Sequence, residues 1–340
     1  MSELYKSELI SVIMPTHNPG SFLIAAVKSI LNQTDVLLEL IIVDDHSTDD
    51  AIERLPPNLL NDSRIKIIPS VGKGVVAAMK TGVSNAQGNY IARMDADDIA
   101  LPERLITQLC YLHNNPSIGI AGAQVKIISS EPINKGFKLY ESWLNQLCSP
   151  EDIEQELFVE SPIPNPTAFF RREIYDILGG YHDSEWAEDY DLWLRAHTAG
   201  IKMGKPIGIL LHWREHERRL THCDKRYDNK LFLKAKAHYL VERYNLADRK
   251  VIIWGTGPIA IYLHDRLAEN GVNIEAFLEV NPNRIGGAKR GLPVYHYEKA
   301  SKYSDAIIIS AVGARGARIK IREALIDMDK REGRDFLFAA

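Results

Sequence analysis

Cysteine is scarce in this chain: Cys110, Cys148 and Cys223 are the only three among 340 residues. They are odd in number, far apart and form no Cys-x-x-Cys pair, so neither a disulfide framework nor a cysteine-rich zinc site is expected. Long apolar runs are missing as well. No stretch approaches the ~18 residues that a membrane span requires. The opening residues 1–9 carry Glu3 and Glu8 and have no apolar signal core. The expected setting is a reducing cytoplasm, with at most peripheral contact at the inner face of a membrane. A basic excess is also lacking, since 41 Lys and Arg stand against 45 Asp and Glu, for a net charge of -4. Nucleic acid therefore has no electrostatic hold and is not expected as a partner. The basic runs at residues 214–219 and 226–236 are interleaved with acids or apolar residues and read as solvated faces.

What is present is a globular balance, 45% hydrophobic and 25% charged, over a length that suits two domains. Short apolar runs alternate with amphipathic segments. Residues 9–14 predict a strand closed by Pro15, and residues 22–31 a helix. Residues 40–43 give a second strand, Ile65, Ile67 and Ile68 a third, residues 75–83 a helix, and residues 89–94 a fourth strand. This alternation predicts a mostly parallel sheet with helices on both faces. In such sheets ligands sit beyond the carboxyl ends of the strands. Those ends carry Pro15-Thr16-His17-Asn18, Asp44-Asp45-His46-Ser47 and Asp95-Ala96-Asp97-Asp98.

Prolines punctuate residues 131–166, where one helix is expected at 151–158. Further helices are expected at 188–200 and, as a connector, at 231–244. The pattern then restarts with a strand at 250–254, a Gly255-Thr256-Gly257 turn, a helix at 259–269, and strands at 274–278 and 306–310. These features place a first domain at 1–222, a connecting helix at 223–247 and a second α/β domain at 248–340.

Asp95 and Asp97, at i and i+2 on a loop, can face one locus. Magnesium and manganese prefer such oxygen ligands and share them with phosphates. A departing diphosphate needs this charge screening. Acids at a strand end also cap helices or face water, so the cluster alone leaves both readings open. Ser47 or Thr48 is expected to cap a following helix, while Asp44 and Asp45 can accept from a base or ribose. Gly72-Lys73-Gly74 opens a helix, and its backbone and the Lys73 cation suit a phosphate, although the same triplet serves as a plain turn.

In this order, the pieces resemble the inverting family 2 glycosyltransferases of the GT-A fold. The resemblance runs through Val12-Ile13-Met14-Pro15-Thr16-His17-Asn18, Ile41-Ile42-Val43-Asp44-Asp45 and Gly74-Val75-Val76-Ala77-Ala78. It continues through Gly88-Asn89-Tyr90-Ile91-Ala92-Arg93-Met94-Asp95-Ala96-Asp97-Asp98, Gly179-Gly180-Tyr181 and Glu188-Asp189-Tyr190-Asp191. It implies transfer of a sugar from a nucleotide-diphosphate sugar, UDP foremost, to a carbohydrate or glycolipid acceptor in cell-surface polysaccharide or glycolipid synthesis. It further implies that Pro15, Thr16, Asp44 and Asp45 line the nucleoside pocket, with Arg93 among the donor-binding residues. Asp95 and Asp97 become the Asp-x-Asp motif for Mn²⁺ or Mg²⁺, with Asp97 the direct ligand. Glu188 and Asp189 become the catalytic pair, with Asp189 the base, and Arg214 and His216 a late Arg-x-His element near diphosphate and metal.

Where relatives carry His-Pro, this chain has Asn165-Pro166, and the Arg-Asn after the glycine turn is replaced near Met79 and Lys80. Trp186 and Trp143 are candidates to stack on an acceptor sugar, against core packing as the alternative.

In the C-terminal segment, Gly255-Thr256-Gly257-Pro258-Ile259-Ala260 has the GxGxxA form, and Glu279 ends the next strand where a ribose-binding acid belongs. NAD(P) binding is one reading of these residues in a Rossmann-like domain. Packing, homo-oligomer formation or regulation is the favoured one, because Pro258 removes an amide that a pyrophosphate would use. Two other classes compete for the whole chain. A nucleotidyltransferase acting on sugar phosphates would want a glycine-rich basic loop after the first strand, where Pro15-Thr16-His17-Asn18 stands. An oxidoreductase would want a Ser-Tyr-x-x-x-Lys or similar set, which is absent.

Overall fold

In the computed structural model, which describes residues 7–340, the chain divides into two units. The sequence reading at residues 1–6 lies outside the described residues. The first unit gathers residues up to 153 with 162–184 and 199–223, and the second gathers 154–161, 185–198 and 224–340.

The first unit contains strands β1 (Leu9–Thr16), β2 (Leu37–Asp44), β3 (Ile65–Pro69), β4 (Tyr90–Arg93), β5 (Ile99–Ala100), β6 (Ile118–Ala121), β7 (Gln124–Ile128), β8 (Phe169–Arg171), β9 (Lys202–Gly204) and β10 (Ile209–Arg214). Its helices are α1 (Phe22–Leu31), α2 (Pro57–Leu60), α3 (Val75–Ser84), α4 (Arg104–Asn114), α5 (Lys135–Gln146), α6 (Pro150–Glu156, whose end passes to the second unit), α7 (Arg172–Ile177) and, further along the chain, Leu220–Cys223.

The main sheet runs β3-β2-β1-β4-β8-β6-β9 and is parallel except where β8 opposes β4 and β6. Apolar runs buried on both faces suit parallel pairing beneath helices. The register Thr16↔Asp44 ends β1 and β2 side by side, and β4 flanks β1 on its other edge. Strand order thus reverses at β1, which opens a crevice at the carboxyl ends of β1, β2 and β4. A small sheet, β5-β10-β7, brings the end of β10 beside the loop after β4.

The mixed, mostly parallel α/β architecture expected from the sequence is present. Three local readings differ. Ser47 and Thr48 cap no helix; turns follow them, and Ser47 Oγ accepts from Asn18 N at 3.2 Å instead. The helix expected at 151–158 ends at Glu156. Helix α5 was not expected, although Asn134 caps it by accepting from Phe137 N at 2.9 Å.

The second unit contains α8 (Glu188–Thr198), which follows α7 in the chain, then α10 (Asn229–Tyr244), α11 (Pro258–Glu269) and α12 (Ala317–Ile326), with Leu220–Cys223 taken as α9. Its strands are β11 (Lys250–Trp254), β12 (Asn273–Glu279), β13 (Ala288–Lys289), β14 (Leu292–His296), β15 (Ala306–Ser310) and β16 (Phe336–Phe338). They order β13-β14-β12-β11-β15-β16, parallel apart from the β13 edge, which is the Rossmann-like arrangement. The expected connector is α10, and it packs on both α8 and α11 inside this unit. Among the described residues no helix is long and apolar enough to cross a membrane.

Candidate active site

Three strand ends build the crevice of the first unit. At β1, the buried Thr16 turns its hydroxyl back to Met14 O at 3.1 Å. Asp45 N donates to Thr16 O at 2.8 Å and ties the first two loops together. The Asp44 carboxylate accepts from Ser47 N at 3.0 Å, while Asp45 accepts from Gly74 N at 3.0 and 2.9 Å on its two oxygens. Gly74 holds φ +89, a conformation that favours glycine, and this angle aims its amide at Asp45. The glycine turn is therefore partly committed to Asp45, and Lys73 beside it is exposed.

The third loop follows β4. Carboxylate oxygens of Asp95, Asp97 and Asp98 lie within 4.8 Å of one another. Asp95 is held by Arg93 Nη1 at 2.7 Å. Arg93 is only 4% exposed, so the residue grouped with the donor set supports Asp95 from beneath. Asp97 Oδ2 meets His216 Nε2 at 2.8 Å, and Asp98 Oδ1 accepts from Arg214 N at 2.7 Å. Arg214 Nε donates to Asp97 O at 2.7 Å, and its guanidinium lies 4.6 Å from the Phe22 ring centroid. The late Arg-x-His element and the Asp-x-Asp motif, 116 or more residues apart in sequence, thus form one cluster.

Burial raises the Asp95 and Asp98 pKa values, and the neighbouring carboxylates add to the shift. Asp98 Oδ2 and His216 Nδ1 are buried without a hydrogen-bond partner. Crowded carboxylates with an unsatisfied buried oxygen have the donor chemistry of a hard divalent cation site, so the residues present fit such an ion.

Sequence reasoning missed what holds this loop. Arg104 is fully buried on α4 and donates to Arg93 O at 2.7 Å and to Gln108 at 3.1 Å. Gln108 Nε2 in turn reaches the carbonyls of Ala121, Gly122 and Thr167. The available signal was their position, four residues apart and in phase with the apolar Leu105, Leu109 and Leu112. Asn165 accepts from the Tyr181 hydroxyl at 2.6 Å. Trp143 stacks on Tyr140 at 5.7 Å and packs against the core of this unit.

The second unit holds Glu188, Asp189 and Trp186. Glu188 is fully buried, whereas Asp189 is half-buried in the first turn of α8, its Oδ1 accepting from Tyr190 N at 2.7 Å. Trp186 donates its indole N–H to Asp191 at 2.9 Å. In the glycine turn, Glu279 accepts from the Thr256 hydroxyl and from the amides of Val280 and Asn281 at 2.9 and 3.1 Å. Burial pushes the Glu279 pKa up, but these bonds outweigh it and leave it lowered. Arg284 Nη1 adds a bond to Thr256 at 3.1 Å. Gly255 and Gly257 border this lock, and an open cleft of ≈ 440 Å³ near Gly257 is lined by Tyr262, Asp265 and Arg290.

Two stretches of the chain match known families. The profile of glycosyl transferase family 2 matches residues 11–179, and that of a CoA binding domain matches residues 247–327. An uncharacterized glycosyltransferase of Haemophilus influenzae is 33% identical over 208 residues, 59% of this chain, and the chain spans 64% of its length. Another, from Methanocaldococcus jannaschii, is 32% identical over 212 residues, covering 61% of this chain and 70% of that protein. Among solved structures, S. aureus TarS residues 1–349 in complex with UDP-GlcNAc superimposes with a TM-score of 0.54 at 16% identity, over 68% of this chain and 66% of that one.

Proposed function

This chain belongs to glycosyl transferase family 2, and from that premise we propose a metal-dependent, inverting transfer of a sugar from a nucleotide diphosphate to a hydroxyl acceptor. The observation that carries the reading is the joining of Asp97 to His216 and of Asp98 to Arg214 at the mouth of the nucleotide-type crevice. Pro15, Thr16, Asp44 and Asp45 receive the nucleoside, with Asp45 offering its free lone pairs while Gly74 fixes its orientation. Asp97, Asp95 and His216 hold Mn²⁺ or Mg²⁺, which when bound supplies a Lewis acid that screens the departing diphosphate. Arg214, stacked on Phe22, keeps a positive charge beside that diphosphate. Asp189 takes the proton of the acceptor hydroxyl, a role typically worth ~10²–10⁴-fold. Glu188, buried and bonded, supports the helix rather than touching substrate.

The acceptor is a carbohydrate or glycolipid of cell-surface polymer synthesis, met from the cytoplasmic side. UDP sugars are the first donors to test, given the UDP-GlcNAc complex of TarS. A panel of UDP-GlcNAc, UDP-glucose, UDP-galactose and GDP-mannose, with and without Mn²⁺, tests the reading by release of nucleoside diphosphate. Asp97→Ala should abolish release, and chelation should do the same to the native chain. Release of pyrophosphate would instead mark a nucleotidyltransferase and overturn it.

A further inference from the structure

Asp189 lies between two buried carboxylates, and a tyrosine from the segment after residue 224 holds each of them. Both Glu188 oxygens are 3.0 Å from the Tyr227 hydroxyl. Asp191, 2% exposed, accepts from Tyr239 OH at 2.7 Å, Arg195 Nε at 2.7 Å and Trp186 Nε1 at 2.9 Å. Tyr190, the residue after Asp189, stacks on Phe232 of α10 at 4.9 Å. Helix α10 is itself pinned, since Lys236 donates to Val159 O at 2.7 Å and to Ala339 O at 3.2 Å.

The first turn of α8 carries Glu188, Asp189 and Asp191 together. A helix N-terminus favours negative charge, but three acids in one turn repel one another. Each tyrosine hydroxyl gives a buried carboxylate a directed hydrogen bond, at Asp191 alongside the Arg195 guanidinium. We propose that Tyr227 and Tyr239 are positioning residues, whose hydroxyls fix the first turn of α8 and thereby the direction of the Asp189 carboxylate. Residues 224–340 then brace the α8 turn that carries the base, within the same second unit. This inference rests on the assignment of Asp189 as the base.

The test uses the full chain and the variants Tyr227→Phe, Tyr239→Phe, their double and Asp189→Asn. A misplacement of about 1 Å can cost on the order of 10²-fold, so the double variant should lose about 10- to 100-fold in kcat. Its donor KM should stay within about twofold, because the proposed role touches the base and not donor binding. Calorimetric titration with UDP and Mn²⁺ should return an unchanged stoichiometry, which separates a moved base from a smaller folded fraction. Hydrogen exchange needs no donor: amides 189–192 should exchange at least about tenfold faster in the double variant, while those of β1 and β2 stay as they were. Native exchange rates, or native kcat, in the double variant overturn the proposal while leaving Asp189 as base if Asp189→Asn is inactive. A fully active Asp189→Asn overturns both readings.

Discussion

At the scale of single residues, the acids that would meet substrate were legible and the cations beneath them were not. Asp95, Asp97 and Asp98 stand out because three carboxylates in four residues at a strand end are costly without a purpose. Arg104, beneath the loop, carries no such mark, and neither does Lys205 elsewhere in the unit. Each looks like a surface cation in sequence, and each is buried against backbone carbonyls whose location only the fold decides. Lys205 is 2% exposed and donates to Leu144 O at 2.6 Å and Pro162 O at 2.9 Å. Burial lowers its pKa from 10.5 to about 7. Between about pH 7 and 10.5 the unfolded chain therefore binds a proton that the folded chain does not, and folding gains stability as pH rises. Below pH 7 both states are protonated and the full penalty of burying the charge applies. Denaturant unfolding of the native chain and of Lys205→Met at pH 7 and pH 9 measures this term. The native chain should gain on the variant by on the order of 1 kcal/mol per pH unit. A constant difference between the two would remove Lys205 as the source.

At the scale of elements, periodicity was a sound guide where a run was long or fully apolar. The helix expected at 22–31 is α1, Phe22–Leu31, and the strand expected at 250–254 is β11, Lys250–Trp254. It failed over 131–166, where prolines suggested a loop and α5 formed behind an asparagine cap. It also passed over β6 and β7, four and five residues long. Close approach was invisible for the same reason: a glycine in sequence does not name what it will touch. Gly88 precedes β4, and its amide donates to Ser11 Oγ at 2.8 Å. A Cβ there would lie 2.5 Å from Leu9 O and 2.8 Å from Ser11 N, both backbone atoms of β1. Neither can yield without parting β4 from β1, the two strands that open the crevice. Gly88→Ala should therefore destabilise the chain by about 1–3 kcal/mol, the cost of a forced overlap in a packed region. Thermal unfolding followed by circular dichroism reads the loss, and a native midpoint would show that the strands can separate at no cost.

At the scale of the whole molecule, a boundary drawn along the sequence near residue 247 does not coincide with the compact units. Linear reading assigns each stretch to its neighbours in sequence. The second unit instead takes in 154–161 and 185–198, segments separated in sequence from its main body, which begins at residue 224. The reason is chemical. Glu156 is closed on by Arg318 at 2.7 Å and Arg322 at 3.4 Å, and the Tyr190 hydroxyl donates to Leu157 O at 2.7 Å. A fragment of residues 1–222 contains every motif residue carried over from the family, yet it lacks Tyr227, Phe232, Lys236, Tyr239 and both arginines. Glu188 would lose the Tyr227 hydroxyl and Glu156 the two arginines, and each loss of a partner to a buried or half-buried carboxylate is costly. The α8 face that carries Tyr190 would meet water. We expect this fragment to aggregate, or to elute in size exclusion as a monomer that melts well below the full chain, and to release no nucleoside diphosphate from any donor the full chain uses. Full activity in the fragment would mean that the motif-bearing segments suffice for the reaction, and that the α8 contacts with residues 224–340 serve stability alone.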